Sequence, residues 1–405
     1  MATGPRDVLA ARRRTALTAA TLAAAMLAAL TLAVPPIALA SPVAAARGAV
    51  RPARQAELEG VSCPRAALCM AVGYRATAHG RGPVAEEWNG RSWANVPIPA
   101  PKGTDSYLVS VSCAARTSCT AVGGTAISPR RSGPIAEQWN GRRWYLTQAS
   151  NPRGVSAGNL TGVSCASRNH CVAVGTSQGR KRDLALAEKW NGRTWTVLTA
   201  ATMRRSAGFT AADCVRRFCM AVGEAVRSSP PGEVTLAEVL ATGTWRQVTT
   251  PAVSGASLSV LYGVWCANAR SCKAVGQAQG SATGAIAEVW TGSAWKVQAP
   301  SAGTQILTSG LLSAVSCSSA SRCMAVGAGA RRPISERWTG STWAAAPTAT
   351  VTGTAFASLY QVSCPTATRC IAVGARTNGA LGDIGTSLAE EWNGTSWSVL
   401  KTLNP

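Results

Sequence analysis

Seven tandem repeats predict that the chain folds as an all-β protein, a seven-bladed β-propeller with four antiparallel strands per blade. Each repeat follows the pattern Leu-x-x-Val-Ser-Cys, five residues, Cys-x-Ala-Val-Gly, a variable stretch, and then Ala-Glu-x-Trp-Asn-Gly-x-Ser/Thr-Trp. The first cysteines of successive repeats lie 47 to 52 residues apart. Such a period with strand-like content is typical of propellers in which one repeat forms one blade. The predicted blades are residues 58–107, 108–159, 160–208, 209–260, 261–311, 312–358 and 359–405.

Each repeat contains four strand candidates, here named A to D. In the first repeat they are Leu58 to Cys63, Cys69 to Gly73, Val84 to Trp88, and Trp93 to Ile98. Asn-Gly between strands C and D is a strong hairpin signal. It occurs at Asn89-Gly90, Asn140-Gly141, Asn191-Gly192 and Asn393-Gly394.

These units resemble kelch repeats, the blades of kelch and galactose-oxidase-type propellers. Cys69 to Tyr74 corresponds to the kelch strand that ends in a glycine doublet, and only Gly123-Gly124 keeps a true doublet. Ala85 to Trp88 corresponds to Val-Glu-Val-Tyr, and Trp93 to the kelch tryptophan. The cysteine pair, Trp in place of Tyr and a shorter C–D turn depart from that pattern and suggest a bacterial secreted, disulfide-containing variant. The resemblance implies a propeller fold but no particular function.

All 14 cysteines lie in the repeats, two in each, which predicts one disulfide across each A–B hairpin. Zinc binding is the alternative, but zinc sites favour shorter spacings and histidine partners, and the chain has only two histidines. The fourth pair has one residue fewer between its cysteines. The predicted pairs are Cys63–Cys69, Cys113–Cys119, Cys165–Cys171, Cys214–Cys219, Cys266–Cys272, Cys317–Cys323 and Cys364–Cys370.

Three further repeat positions are constant enough to predict structural roles. Thirteen of the 14 tryptophans recur at the ends of strands C and the starts of strands D, which favours a blade core over ligand stacking. Trp265 lies off this pattern. A glutamate two residues before the strand C tryptophan occurs in all repeats, which favours a buried latch over a calcium or catalytic ring. These glutamates are Glu86, Glu137, Glu188, Glu238, Glu288, Glu336 and Glu390.

The N-terminus predicts export from the cytoplasm. Arg12 to Arg14, an apolar run from Thr15 to Val34 and Ala38-Leu39-Ala40 match a cleavable signal peptide over residues 1–40. An uncleaved membrane anchor is the alternative, since the apolar run is long. Residues 41–57 are predicted to be a linker, and residues 58–405 the propeller. We therefore expect a secreted protein, or one anchored to the outer face of the plasma membrane.

The charge of +22 predicts an anionic partner. In an antiparallel blade the B–C and D–A loops share one face, and these loops vary between repeats, as binding loops do. We expect an anionic envelope glycopolymer or a protein to bind there, with no specific nucleic acid, with membrane contact only through an uncleaved N-terminal segment, and with the protein a monomer. The candidate binding residues are Arg75, Arg81, Arg130, Arg131, Arg180, Lys181, Arg182, Arg331 and Arg332.

An enzymatic role has weaker support in the sequence. The chain lacks a nucleophile motif, a phosphate loop and a metal-ligand cluster, so we predict no catalytic residue, metal or cofactor. The alternative is an extracellular carbohydrate-active hydrolase or lyase with an acidic pair in the propeller pocket. Acidic residues of the variable loops include Asp105, Asp183, Glu233 and Asp383.

Overall fold

The computed structural model describes residues 55–404, with gaps at 102–103, 129–130, 156, 203–204, 230, 242, 282–283, 299–309 and 380–383. The predicted signal peptide and nearly all of the predicted linker lie outside the described residues. The described part is all-β, as predicted, and contains no helix that could cross a bilayer. The first strand begins at Ala56, two residues before the predicted start of the propeller.

Each repeat forms four antiparallel strands in the order A-B-C-D, which we call a unit. Unit 1 contains β1 (Ala56–Arg65), β2 (Leu68–Thr77), β3 (Gly80–Trp88) and β4 (Trp93–Asn95). Unit 2 contains β5 (Ser106–Ala115), β6 (Ser118–Ser128), β7 (Arg131–Trp139) and β8 (Trp144–Thr147). Unit 3 contains β9 (Ala157–Ser167), β10 (His170–Gln178), β11 (Asp183–Trp190) and β12 (Trp195–Leu198). Unit 4 contains β13 (Ala207–Val215), β14 (Phe218–Ser228), β15 (Pro231–Leu240) and β16 (Trp245–Val248).

The remaining three units follow the same plan. Unit 5 contains β17 (Ala256–Asn268), β18 (Ser271–Gly280), β19 (Gly284–Trp290) and β20 (Trp295–Gln298). Unit 6 contains β21 (Leu311–Ser319), β22 (Arg322–Ala328), β23 (Pro333–Trp338) and β24 (Trp343–Ala345). Unit 7 contains β25 (Phe356–Thr366), β26 (Arg369–Thr377), β27 (Thr386–Trp392) and β28 (Trp397–Leu400).

Units 4 and 5 differ from the others because they join into one eight-stranded sheet. The link is a single parallel bridge between Glu233 of β15 and Leu258 of β17. Gly232 lies against the carbonyl of Ser257, where a Cβ atom would overlap the oxygen. The missing side chain therefore lets the two strands approach at this point.

The apolar core lies between successive units rather than within them. Each hydrophobic cluster combines strand B and further residues of one unit with the next unit. One cluster joins Ile371 and Val373 of unit 7 to Leu58 of unit 1. At the same junction the amide of Ala56 donates to the carbonyl of Gly385 at 3.1 Å. The last unit thus packs on the first, and the units form a closed ring.

The seven disulfides are confirmed, each between the two cysteines of one repeat. In the fourth unit, Cys214 pairs directly with Cys219 and Val215 with Phe218, without the register shift that follows the first cysteine in unit 2. Deletion of one loop residue therefore removes a bulge. The shortened turn places Arg216 at a φ of 58°, a conformation that costs energy for residues other than glycine.

Tryptophans fill the outer part of each unit, as predicted. Trp88 and Trp93 lie opposite each other on strands C and D, with ring centroids 5.4 Å apart. In unit 4 the first of these positions is Leu240. Phe209 of strand A, where the other repeats have Leu, packs in the same cluster with its ring 5.7 Å from Trp245. The larger strand A residue thus compensates for the smaller strand C residue.

The seven repeated glutamates are all buried. Three of them accept backbone N–H groups from the segment that follows strand D of the preceding unit. Glu238 accepts from Ala201 at 2.8 Å and Thr202 at 2.9 Å, and Glu188 and Glu390 make the equivalent contacts with Ser150 and Ala349. These three contacts fit the predicted latch, whereas the carboxylate oxygens of Glu137 and Glu288 have no hydrogen-bond partner among the described residues. Burial raises the pKa of Glu137 and of Glu288 to about 8.

Candidate functional site

A β-bulge interrupts every strand A four residues before its first cysteine. In unit 1, Leu58 pairs with Gly73 and Gly60 with Val72, which leaves Glu59 as the extra residue. The glycine of Cys-x-Ala-Val-Gly faces the bulge. At Gly73 a Cβ atom would overlap the carbonyl oxygen of Glu57, and each of the other six glycines meets the equivalent carbonyl. The bulge therefore explains why the motif requires glycine. A bulge changes the direction of a side chain, and here it also brings a carbonyl oxygen to the place where a Cβ atom would lie.

The seven bulged residues surround one cavity in the centre of the ring. Its volume is about 260 Å³, and its walls are strands A of all seven units. We call these residues the bulge ring. They are Glu59, Val109, Thr161, Thr210, Tyr262, Ser313 and Tyr360.

The bulge ring is where the repeats diverge. One residue earlier, every strand A has a buried Leu or, once, Phe, whereas the bulged residue is acidic, apolar, hydroxylated or aromatic. A structural position repeats from unit to unit, and a binding position does not need to. The cavity is therefore the candidate functional site.

A second set of hydrogen bonds joins neighbouring strands A between the bulge ring and the A–B loops. The residue before the first cysteine accepts a hydrogen bond from the amide of the next unit's first cysteine, as in Ser62 to Cys113 at 3.0 Å. Ser363 closes the ring by accepting from Cys63 at 3.0 Å. The position is Asp213 in unit 4, where the carboxylate accepts from Cys266 at 2.7 Å. In unit 5 it is Trp265, which lines the cavity, and the described hydrogen bonds include no such contact to Cys317.

Two glutamates of β1 interact with two tyrosines, Tyr74 and Tyr360, beside the cavity. Tyr74 donates to Glu57 Oε2 at 2.7 Å, and the amide of Gly385 donates to Glu57 Oε1 at 2.7 Å. Burial, followed by the charge of Glu57, raises the pKa of Glu59 well above its usual range. Burial also raises the pKa of Tyr360, with smaller contributions from both carboxylates.

Arg81, a predicted binding residue, is already paired in the structure. Its guanidinium makes a two-point ion pair with Asp105, with nitrogen–oxygen distances of 2.9 and 2.8 Å, and it lies 3.8 Å from the ring centroid of Tyr107. This pair lowers the pKa of Asp105. Arg81 therefore braces the Tyr107 ring and the D–A segment of unit 1 instead of presenting a free charge.

A second acidic group lies on the other side of the bulge ring. Burial raises the pKa of Glu224 to about 7, with further contributions from Glu233 and Asp183. Burial also raises the pKa of Tyr262, with smaller contributions from Glu224 and Glu233. The described residues contain no group of three or more His, Cys, Asp or Glu side chains arranged to hold a metal ion.

The other predicted binding residues that the structure describes lie at or near the tips of B–C hairpins. Arg180, Lys181 and Arg182 are exposed in a turn closed by the amide of Gly179 and the carbonyl of Arg182. Arg331 and Arg332 are exposed in a similar turn, and Arg75 and Arg131 are also exposed. Arg130 lies outside the described residues, as does Asp383. These hairpins share one face of the ring but belong to different units.

Sequence reasoning did not identify the residues that line the cavity. The linker predicted over residues 41–57 includes Glu57, and the repeat pattern does not distinguish the bulge ring from the rest of strand A. A signal was present, since the bulged position varies between two nearly constant ones, Leu before it and Val two residues after it. Trp265 was recognised, because it replaces a repeated serine.

The ring of four-stranded units makes the protein a β-propeller, and comparisons with known proteins agree at the level of fold. No family model matches the chain, and no curated protein does. A protein of unknown function from Dyadobacter fermentans is similar over 74% of this chain and 97% of its own, with 12% identity and a TM-score of 0.52. YCF48 bound to a D1 peptide matches over 76% of this chain and 88% of its own, with 12% identity and a TM-score of 0.45. The SapL1 lectin in complex with α-methyl fucoside matches over 73% and 95%, with 14% identity and a TM-score of 0.45.

Proposed function

We propose that the chain is a seven-bladed propeller that acts outside the cytoplasm as a binding module for an anionic envelope glycopolymer. Seven units, seven inter-unit clusters and the contact of unit 7 with unit 1 support the blade count. Seven disulfides fit an oxidising compartment. The kelch type, the cleaved signal peptide and the monomeric state belong to the same proposal.

We propose an anionic partner because exposed cations lie at the tips of the B–C hairpins. They project from one face at several points around a rigid ring, so a polymer with repeated negative charges can contact more than one hairpin at once. An acidic protein is the other outcome of the same test.

The test compares two triple variants that remove equal charge from opposite faces. The first variant changes Arg180, Lys181 and Arg182 to Ala. Its matched control changes three exposed A–B loop arginines, Arg65, Arg116 and Arg270, to Ala. At about 0.5 kcal/mol for each exposed contact, the first variant should bind about tenfold more weakly, and the control should match the wild type.

The probes are immobilised dextran sulfate, polyglutamate and uncharged dextran. Binding to dextran sulfate should weaken as salt rises, because exposed charges are screened over about 10 Å at 0.1 M. Preference for polyglutamate would point to an acidic protein. If both triple variants bind alike, or if salt has no effect, the B–C hairpins are not the binding surface.

A hydrolase is the second candidate, supported by Glu57 and Glu59. These carboxylates lie two residues apart on one strand beside the cavity, and the raised pKa of Glu59 suits a general acid. Shortening of a bound polysaccharide by the wild type, and its loss in Glu59→Gln, would establish that activity. An unchanged chain length would exclude it for that polymer.

A further inference from the structure

We propose that the central cavity is a second binding site, for a small ligand or side chain that carries a positively charged nitrogen on an apolar stem. The ammonium would lie at Glu59, and the stem would lie against the aromatic rings of the cavity. The site is separate from the basic hairpins.

The charge of the cavity lining is opposite in sign to the net charge of the chain. The chain carries 40 lysines and arginines and a net charge of +22. The described lining residues nevertheless include no basic side chain, while Glu59 and Asp213 are both acidic. An acidic cavity in a basic protein selects a cation, because an anion would lose its hydration without gaining a partner.

Glu59 is the group within this cavity that needs a partner. It is 8% exposed, it shares the Tyr74 hydroxyl with Glu57, and the charge of Arg81 acts on it from nearby. That hydroxyl has a single proton, and it donates to Glu57 at 2.7 Å. Asp213, in contrast, accepts from Ser164 at 2.9 Å and from Cys266 at 2.7 Å. A ligand N–H group would give Glu59 a donor that it does not share with Glu57.

The aromatic side chains complete the site. Tyr262, Trp265 and Tyr360 line the same cavity, and their ring faces attract cations while their edges accept an apolar stem. A volume of about 260 Å³ is slightly below that of pockets for drug-sized ligands, which are about 300–1,000 Å³. The space therefore fits an alkylammonium or one long side chain.

Binding should strengthen as pH rises through the raised pKa of Glu59. Burial keeps the pKa of Glu59 high, so the carboxyl is protonated at low pH, and a cation prefers the ionised form. The titratable groups that face it are Glu57 on its own strand, Tyr74 on β2, Arg81 on β3, Tyr107 on β5 and Tyr360 on β25. All three tyrosines have raised pKa values and stay neutral, and Arg81 stays charged, so they add no step to the titration of Glu59.

The experiment is saturation-transfer NMR of the full chain with n-butylammonium, with n-butanol and butyrate as neutral and anionic analogues. At about 10 mM, where a millimolar site is largely occupied, transfer should reach the ammonium compound and not the other two. Glu59→Gln keeps the shape and removes the charge, and it should weaken binding about tenfold or more. Glu87→Gln, the matched control on the outer part of unit 1, should leave binding unchanged.

Three outcomes would overturn the proposal: no transfer to n-butylammonium, equal transfer to n-butanol, or tight binding that survives Glu59→Gln. Loss of binding to dextran sulfate in the hairpin variant, with n-butylammonium binding retained, would show that the two sites are independent. The small probe does not need the hairpins, so each proposal can fail without the other.

Discussion

The compensating exchange in unit 4 predicts strong energetic coupling between positions 209 and 240. Phe209 is 1% exposed and Leu240 is 6% exposed, and both belong to the cluster that contains Trp245. The other six units have Leu and Trp at these positions. Changing both residues in unit 4 should therefore restore the arrangement of its neighbours, whereas changing one should leave a void or an overlap.

The magnitude follows from the contacts. Phe209→Leu removes an aromatic pair worth about 0.5–1.5 kcal/mol and opens a small void, so we expect a loss of about 2 kcal/mol. Leu240→Trp adds a ring to filled space, at a cost of about 1–3 kcal/mol. Independent sites would give the double variant a loss of about 4 kcal/mol. We expect less than about 1 kcal/mol, which corresponds to a coupling of about 3 kcal/mol.

The assay is urea unfolding with the disulfides intact, followed by far-UV circular dichroism for the wild type, both single variants and the double variant. The slope of the free energy of unfolding against urea concentration must be the same for the four proteins, because repeat proteins can unfold in parts. Leu160→Phe in unit 3, which retains its tryptophan pair, is the control and should destabilise by overpacking. Additive losses within about 0.5 kcal/mol would refute the compensation.

Three further predictions concern the glutamates, the fourth turn and the ring closure. Five of the repeated glutamates, Glu86, Glu137, Glu188, Glu288 and Glu390, have pKa values of about 7 to 8 in the folded state and about 4.3 unfolded. The folded state therefore binds more protons, and the free energy of unfolding should fall as pH rises from about 4.3 to 8. Glu137→Gln should flatten this slope in urea midpoints measured across pH, and a rising profile would contradict the burial argument. Arg216→Gly should raise Tm and increase the free energy of unfolding by about 0.5–1 kcal/mol, because glycine tolerates the φ of 58°. An unchanged or lower Tm would contradict this prediction. Ser363→Ala should lower the free energy of unfolding in urea by about 1–3 kcal/mol, because the Cys63 amide loses its acceptor. An unchanged free energy of unfolding would mean that the ring is open at this contact.

The sequence predicted the features that depend on residues close together in the chain. Cysteines six residues apart, Asn-Gly turns and the recurring Trp positions specify hairpins and their disulfides locally. The same repetition predicted the antiparallel units and the propeller. Strand ends were less accurate, since β3 begins at Gly80 rather than Val84 and β4 ends at Asn95 rather than Ile98.

The site could not be predicted in the same way, because it depends on how strands pair and how units meet. The bulge at Glu59 is a property of two strands in register, and its glycine partner had no assigned role until that register was known. Glu57 contacts Gly385, 328 residues away, through the closure of the ring. The pairing of Arg81 with Asp105 likewise joins two loops whose sequences vary freely.

The placement of the disulfides has a consequence for oxidative folding. Every bridge closes a loop of only four or five residues within one hairpin, so each native partner is present at a far higher effective concentration than any of the other thiols. Correct bridges can thus form as each hairpin emerges, before the ring exists, and scrambled isomers have little time to accumulate. The closure between the first and last units contains no covalent link. We therefore expect reoxidation of the reduced chain to yield native pairing even in denaturant, with thiol isomerases nearly dispensable for its maturation.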